Sequence, residues 1–361
     1  MATIELMNGD GNIIQRIENI NAIKKGEFKS RIDIVKVIIN GYLEYIDNDA
    51  FCRCTNLQSI NLPESVTSIG NYAFFNCKDL QSINIPEGVT SINKYAFHGC
   101  KNLQSIKIPE SVTSIGKDAF HGCKNLQSIN IPEGVTSIGN YAFFNCKGLQ
   151  SIKIPGSVTS IGKYAFCGCT NLQSINIPKG VTSIGNYAFH ACTGLQSINI
   201  PEGVTSIGNC AFKHCTALKS IIIPKSVTSI GNYTFNQCKS LTHIKIITTN
   251  QAEFERIKNL LPKKLQDKAI PVDLKKISEI KNKALGKLLY HPLATSLGTA
   301  NLGDAKDQPV GKLPPKMIAS INQFIIKDTL VYSKMKQALE EVRLWCKLTP
   351  NTYHDIIPDL F

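Results

Sequence analysis

A 23-residue unit repeats eight times without a gap from Leu57 to Ser240, each copy close to L-x-S-I-x-I-P-x-x-V-T-S-I-G-x-Y-A-F-x-x-C-x-x. The copies begin at Leu57, Leu80, Leu103, Leu126, Leu149, Leu172, Leu195 and Leu218. A unit this short cannot close a core of its own. It buries its apolar face only against the units before and after it, so a fixed period predicts a solenoid. A solenoid lengthens by adding turns, and chain length is then no guide to domain number. Its broad repetitive surfaces favour a binding scaffold over an enclosed active site.

Alternation within the unit predicts strands. In the second copy Ile83 and Ile85 point one way, and Ser82 and Asn84 point the other. Pro at position 7, from Pro63 to Pro224, has no N–H for a ladder and ends the strand. Val89-Thr-Ser-Ile92 reads as a second short strand. Gly fills position 14 in seven copies and Asn93 in the other, which predicts a left-handed turn residue there. Tyr141-Ala-Phe-Phe-Asn-Cys146 then reads as about one helical turn, with Ala, Phe and Cys inward.

The cysteine count of 13 suggests a disulfide framework until the residues are placed in the unit. Cys77, Cys100, Cys123, Cys146, Cys169, Cys192, Cys215 and Cys238 all fall at position 21, and Cys54 holds the same place in an earlier, degenerate copy. One thiol per turn at one inward position is a core ladder of small hydrophobes, expected to be reduced. Cys52-x-Cys54 and Cys167-x-Cys169 lack a second ligand pair at zinc spacing.

The frame continues outward in weaker form. Residues 34–56 fit it through Val37, Ile39, Leu43, Ile46, Ala50, Phe51 and Cys54. Residues 1–33 read as an N-terminal cap with a hairpin turning at Asn8-Gly-Asp-Gly11, and Leu241, Ile244 and Ile246 supply a last strand. The motif I-x-I-P-x-x-V-T-S-I-G-x-Y-A-F-x-x-C resembles the BspA-like class of leucine-rich repeats, over about residues 34–247. The resemblance implies a parallel-stranded solenoid. It also implies bacterial or protozoan surface and secreted proteins that bind host proteins. The chain is similar, too, to leucine-rich-repeat effectors that intracellular bacteria inject without a signal peptide.

Past Ile247 the pattern turns helical. Thr249 or Asn250 caps a helix with Phe254, Ile257 and Leu260 inward, stopped by Pro262. A second helix is expected from Asp273, a Gly- and Pro-rich loop over 291–315, and a long amphipathic helix from about Pro315 to Lys347. The expected fold class is therefore α+β: a leucine-rich-repeat solenoid over 34–247, capped by 1–33 and followed by an α-helical domain over 248–361.

The net charge of +13 is uneven: residues 1–56 carry −1, residues 57–247 +8 and residues 248–361 +6. This balance suits acidic partners. No Arg cluster or aromatic interleaving accompanies it, so no nucleic-acid partner is expected. No apolar run approaches the ~18 residues of a membrane span. The first residues, Met1-Ala-Thr-Ile-Glu-Leu, have neither the basic nor the apolar region of a secretory signal.

Gly134-Val-Thr-Ser-Ile-Gly139 has the spacing of a phosphate loop but is followed by Asn140-Tyr141 where Lys-Ser/Thr is required. His98, His121 and His190 share position 19; His98 and His121 lie on adjacent turns, yet no carboxylate pattern joins them. Asn232-Tyr-Thr234 is a glycosylation sequon. No nucleophile–base pair, cofactor or metal is expected. The candidate site is the outward face of the first strand, a ladder that includes Ser105, Lys107, Ser128, Asn130, Ser151, Lys153, Ser174 and Asn176. The expected function is a monomeric, non-enzymatic interaction scaffold, a bacterial effector made in the bacterial cytoplasm and exported into a host cell, where it binds a host protein. A surface adhesin and an enzyme with its site in 248–361 are the alternatives.

Overall fold

The L-x-S-I-x-I-P stretches stack as short parallel rungs, grouped in three sheets with breaks after the Ser105–Lys107 rung and after the Ser151–Lys153 rung. In the computed structural model, which describes residues 1–273, Ser82, Ile83 and Asn84 face Ser105, Ile106 and Lys107. Ser128, Ile129 and Asn130 face Ser151, Ile152 and Lys153. Equivalent positions of successive repeats therefore meet. The register is enforced by burial, because a slip of one residue would turn every inward Ile to solvent. The second strand stacks likewise, in a parallel seven-stranded sheet from Ser91–Ile92 to Ser229–Ile230. The solenoid has about eleven turns.

The core is one column of equivalent side chains. In the turn from Leu126, the side chains Leu126, Ile129, Ile131, Val135, Ile138, Ala142, Phe143 and Cys146 are all buried. These are the eight inward positions that the alternation predicts. Ten phenylalanine rings, from Phe28 to Phe235, stack with centroids 5.2–5.8 Å apart.

The stretch expected to be helical is a run of tight turns. Position 16 is left-handed in every copy, with φ of 59° at Tyr141 and 55° at Asp118, and so is position 20, at 56° for Asn76 and 57° for Ala191. Such a backbone costs an L residue about 1–2 kcal/mol. Hydrogen bonds to the next turn offset it: Tyr141 N–H donates to Lys163 O at 2.9 Å, Phe143 to Ala165 at 2.8 Å and Asn145 to Cys167 at 2.8 Å. The position-14 glycines are not the left-handed residues expected. They serve close approach in the seven copies that have them: a Cβ on Gly139 would lie 2.7 Å from the carbonyl carbon of Gly116 in the preceding turn, whereas Asn93 uses its side chain to bond Ile69 O of the turn before.

At the N-terminus, Ala2–Met7 runs antiparallel to both Ile13–Ile20 and Lys36–Gly41. It covers an edge of the parallel sheet that would otherwise stand open to pairing. Beyond His243–Ile247, Asn250 accepts from the N–H groups of Ala252 and Glu253 and caps the helix Gln251–Leu260. Phe254 and Ile257 are buried, and Arg256 donates to Val227 O and Lys225 O of an earlier turn.

After the short helix Lys263–Gln266 the chain returns to the sheet. The strand Ala269–Val272 pairs in parallel with His243–Ile247. The segment from 248, expected to be purely helical, thus begins with a helical crossover inside the solenoid, because Ala269-Ile-Pro-Val272 supplies one more rung. Met1–Val272 form one unit by internal contacts. The expected second helix, the loop at 291–315 and the long C-terminal helix lie outside the described residues. No helix among the described residues is long and apolar enough to cross a membrane.

Candidate functional site

The first-strand face is built by alternation. Each buried Ile holds its two neighbours outward, and the 23-residue register aligns them rung above rung. Ser105, Lys107, Ser128, Asn130, Ser151, Lys153, Ser174 and Asn176 are all exposed. Ser128 sits beside Ser151 and Asn130 beside Lys153, while Asn176 bridges to Asn199. Paired rungs of a sheet are about 4.8 Å apart, and the 23-residue repeat places these exposed side chains in one row, with strand pairing between the Ser128 and Ser151 rungs.

The two lysines of the strip are each held by a glutamate of the preceding turn. Lys107 Nζ lies 3.3 Å from Glu87 Oε1, and Lys153 Nζ lies 3.4 Å from Glu133 Oε1. Sequence reasoning missed these partners, because strand position 5 meets position 8 of the turn before only once the turns are stacked. All four side chains are well exposed, which limits each pair to under about 1 kcal/mol. Beside the strip, Gln104, Gln127, Gln150, Lys124 and Lys147 line a shallow polar depression. Its signal in the sequence is the recurring Gln at position 2 and Lys at position 22.

A second cluster lies on the turn segment. Asp118 stands where six of the eight copies have Tyr, and its Oδ1 is 2.8 Å from Nδ1 of His121. The ring of His121 lies 4.2 Å from that of His98, centroid to centroid. His98, Asp118 and His121 offer ligand atoms all within 4.8 Å of one another, and among the described residues no other group of three does so. The carboxylate that the sequence reading does not find beside the two histidines is therefore present: position 16 packs beside position 19, and the break in the tyrosine column supplies it.

Short parallel strands at a 23-residue period, a phenylalanine spine and a ladder of inward cysteines define a leucine-rich-repeat solenoid. The chain belongs to the BspA-type leucine-rich repeat family, whose six-copy model matches residues 21–150 and 136–260. It is similar to a leucine-rich repeat protein from Bacteroides ovatus, with 30% identity over 58% of this chain and 74% of that one and a TM-score of 0.39. The T. pallidum leucine-rich repeat protein is 26% identical over 64% of this chain and 91% of its own, with a TM-score of 0.43. A leucine-rich cell surface protein from Faecalibacterium prausnitzii is 26% identical over 68% and 87%, with a TM-score of 0.34. No curated protein matches the chain.

Proposed function

We propose that this protein is a non-enzymatic interaction scaffold that docks an acidic protein partner on the first-strand face of the solenoid. The observation that carries the reading is the row of exposed polar residues from Ser105 to Asn176, repeated at one position of each turn over a buried core. Short Ser and Asn side chains lose little entropy on contact. They also leave room for a partner's larger anchors, which the strip itself does not provide.

The setting we favour is the interior of a host cell, with the chain acting as a bacterial effector. Two things support it: the resemblance to injected leucine-rich-repeat proteins, and twelve free buried cysteines among the described residues, which suit a reducing compartment. An adhesin role is the competing reading, and the cell surface relative from Faecalibacterium prausnitzii keeps it in view.

The near identity of the repeats favours a division of labour, with the non-repetitive residues 248–361 adding specificity to a repetitive platform. Capture of the host partner by the full chain and by residues 1–273 tests this. Retained capture by residues 1–273 places the docking surface on the solenoid. Loss of all capture rejects the first-strand face as the primary site.

A further inference from the structure

We propose that His98, His121 and Asp118 bind a divalent transition cation, Zn2+ by the chemistry of the donor set. Two imidazoles and one carboxylate are a common three-ligand zinc set, leaving a fourth position for water or a ligand from another molecule.

Three observations converge on this cluster. Asp118 breaks the tyrosine column at the one rung where two histidines occupy adjacent turns at position 19. The Asp118 residue is only 5% exposed, and a carboxylate buried to that degree is costly unless a counter-charge meets it. Nδ1 of His98 is buried with no hydrogen-bond partner, the one such side-chain atom among the described residues. A ring nitrogen that makes no hydrogen bond is free to turn its lone pair to a metal.

The three donors lie within 4.8 Å of one another, so a bound cation draws them together by up to about 1.5 Å. Metal–nitrogen and metal–oxygen bonds of about 2.0–2.1 Å at a tetrahedral centre separate the donors by about 3.3 Å. The pair of His121 Nδ1 and Asp118 Oδ1, now at 2.8 Å, has to open by about 0.5 Å. The cation takes the place of the proton between these two atoms, and the neutral ring of His121 carries its one N–H on Nε2 instead. The side chain of His121 keeps 26% of its surface exposed, which provides the route of entry.

The thirteen cysteines could compete for soft metals, so the experiment must separate nitrogen and oxygen ligands from thiolates. The full chain, reduced and stripped of metal, is titrated with CoCl2 and then challenged with ZnCl2. The expected result is one equivalent of Co2+ with the visible bands of a nitrogen and oxygen site, no thiolate charge-transfer band, and displacement by Zn2+. Two variants restore residues that sister repeats already carry at these positions, Asp118→Tyr and His98→Phe, so both keep the repeat pattern of the fold. Each should weaken Co2+ binding by about 100-fold or more, with an unchanged far-ultraviolet spectrum. No uptake by the natural chain, thiolate bands in its complex, or undiminished binding by either variant overturns the site.

Discussion

The thiol of Cys77 donates to the backbone carbonyl of Phe51, one turn earlier, at 3.1 Å. The same bond joins Cys100 to Phe74, Cys146 to Phe120 and Cys238 to Phe212. The ladder is therefore a set of hydrogen bonds between turns as well as a column of small apolar groups. Burial pushes thiols such as Cys77 and Cys146 well above their ordinary pKa, since a thiolate there would lose both its solvation and its donor.

Native thiol chemistry should follow from that burial. The off-ladder residues Cys52, Cys167 and Cys210 are also buried, and burial pushes Cys167 up to about 12. Titration with a thiol reagent at neutral pH, without denaturant, should label at most one of the thirteen cysteines rapidly. Rapid labelling of nearly all of them would contradict the buried ladder.

Phe143 is fully buried between Phe120 and Phe166, each 5.4 Å away. The two neighbouring rings are held by their own turns and cannot close the space. Phe143→Ala should cost about 3–5 kcal/mol in denaturant unfolding. A loss below about 1 kcal/mol would mean that the phenylalanine spine contributes little.

Two glycines should respond oppositely to alanine. The Cβ of Gly139→Ala would meet backbone of the preceding turn at 2.7 Å, whereas Gly156 has nothing within 4 Å of that position. Gly139→Ala should destabilise by about 1–3 kcal/mol. Gly156→Ala should be neutral or stabilise by up to about 1 kcal/mol, through the unfolded chain. Equal effects in thermal unfolding would show that inter-turn contact does not set the glycine requirement.

Charge on the docking strip should act on rate. Lys107→Glu combined with Lys153→Glu places each new carboxylate opposite the existing Glu87 or Glu133. An acidic partner should then associate more slowly and with weaker salt dependence. Stopped-flow association rates that match those of the natural chain would remove the strip from the encounter surface.

The sequence was most legible where one period governs. The inward set from Leu126 to Cys146 follows from alternation and spacing alone, and so does the exposed strip. Gly139 was misread because glycine serves both left-handed turns and close approach, and only the stacked neighbour Gly116 distinguishes them. Tyr141 was misread because Ala142, Phe143 and Cys146 have helical spacing, while the bonds that support φ of 59° at Tyr141 reach into the next turn. Asp118 was visible as an exception to the column, but its link to His98 and His121 required knowing which positions pack side by side. The strand at Ala269–Val272 was hidden by its short length and by the helices before it.

The most direct test of the scaffold reading is site-specific photo-crosslinking in the full chain, with a photoreactive residue at Asn130 on the strip or at exposed Lys117 on the turn segment. A covalent adduct with the captured partner is expected from position 130 and none from 117. An adduct from 117 alone, or none from 130 while the partner still co-purifies, would contradict it.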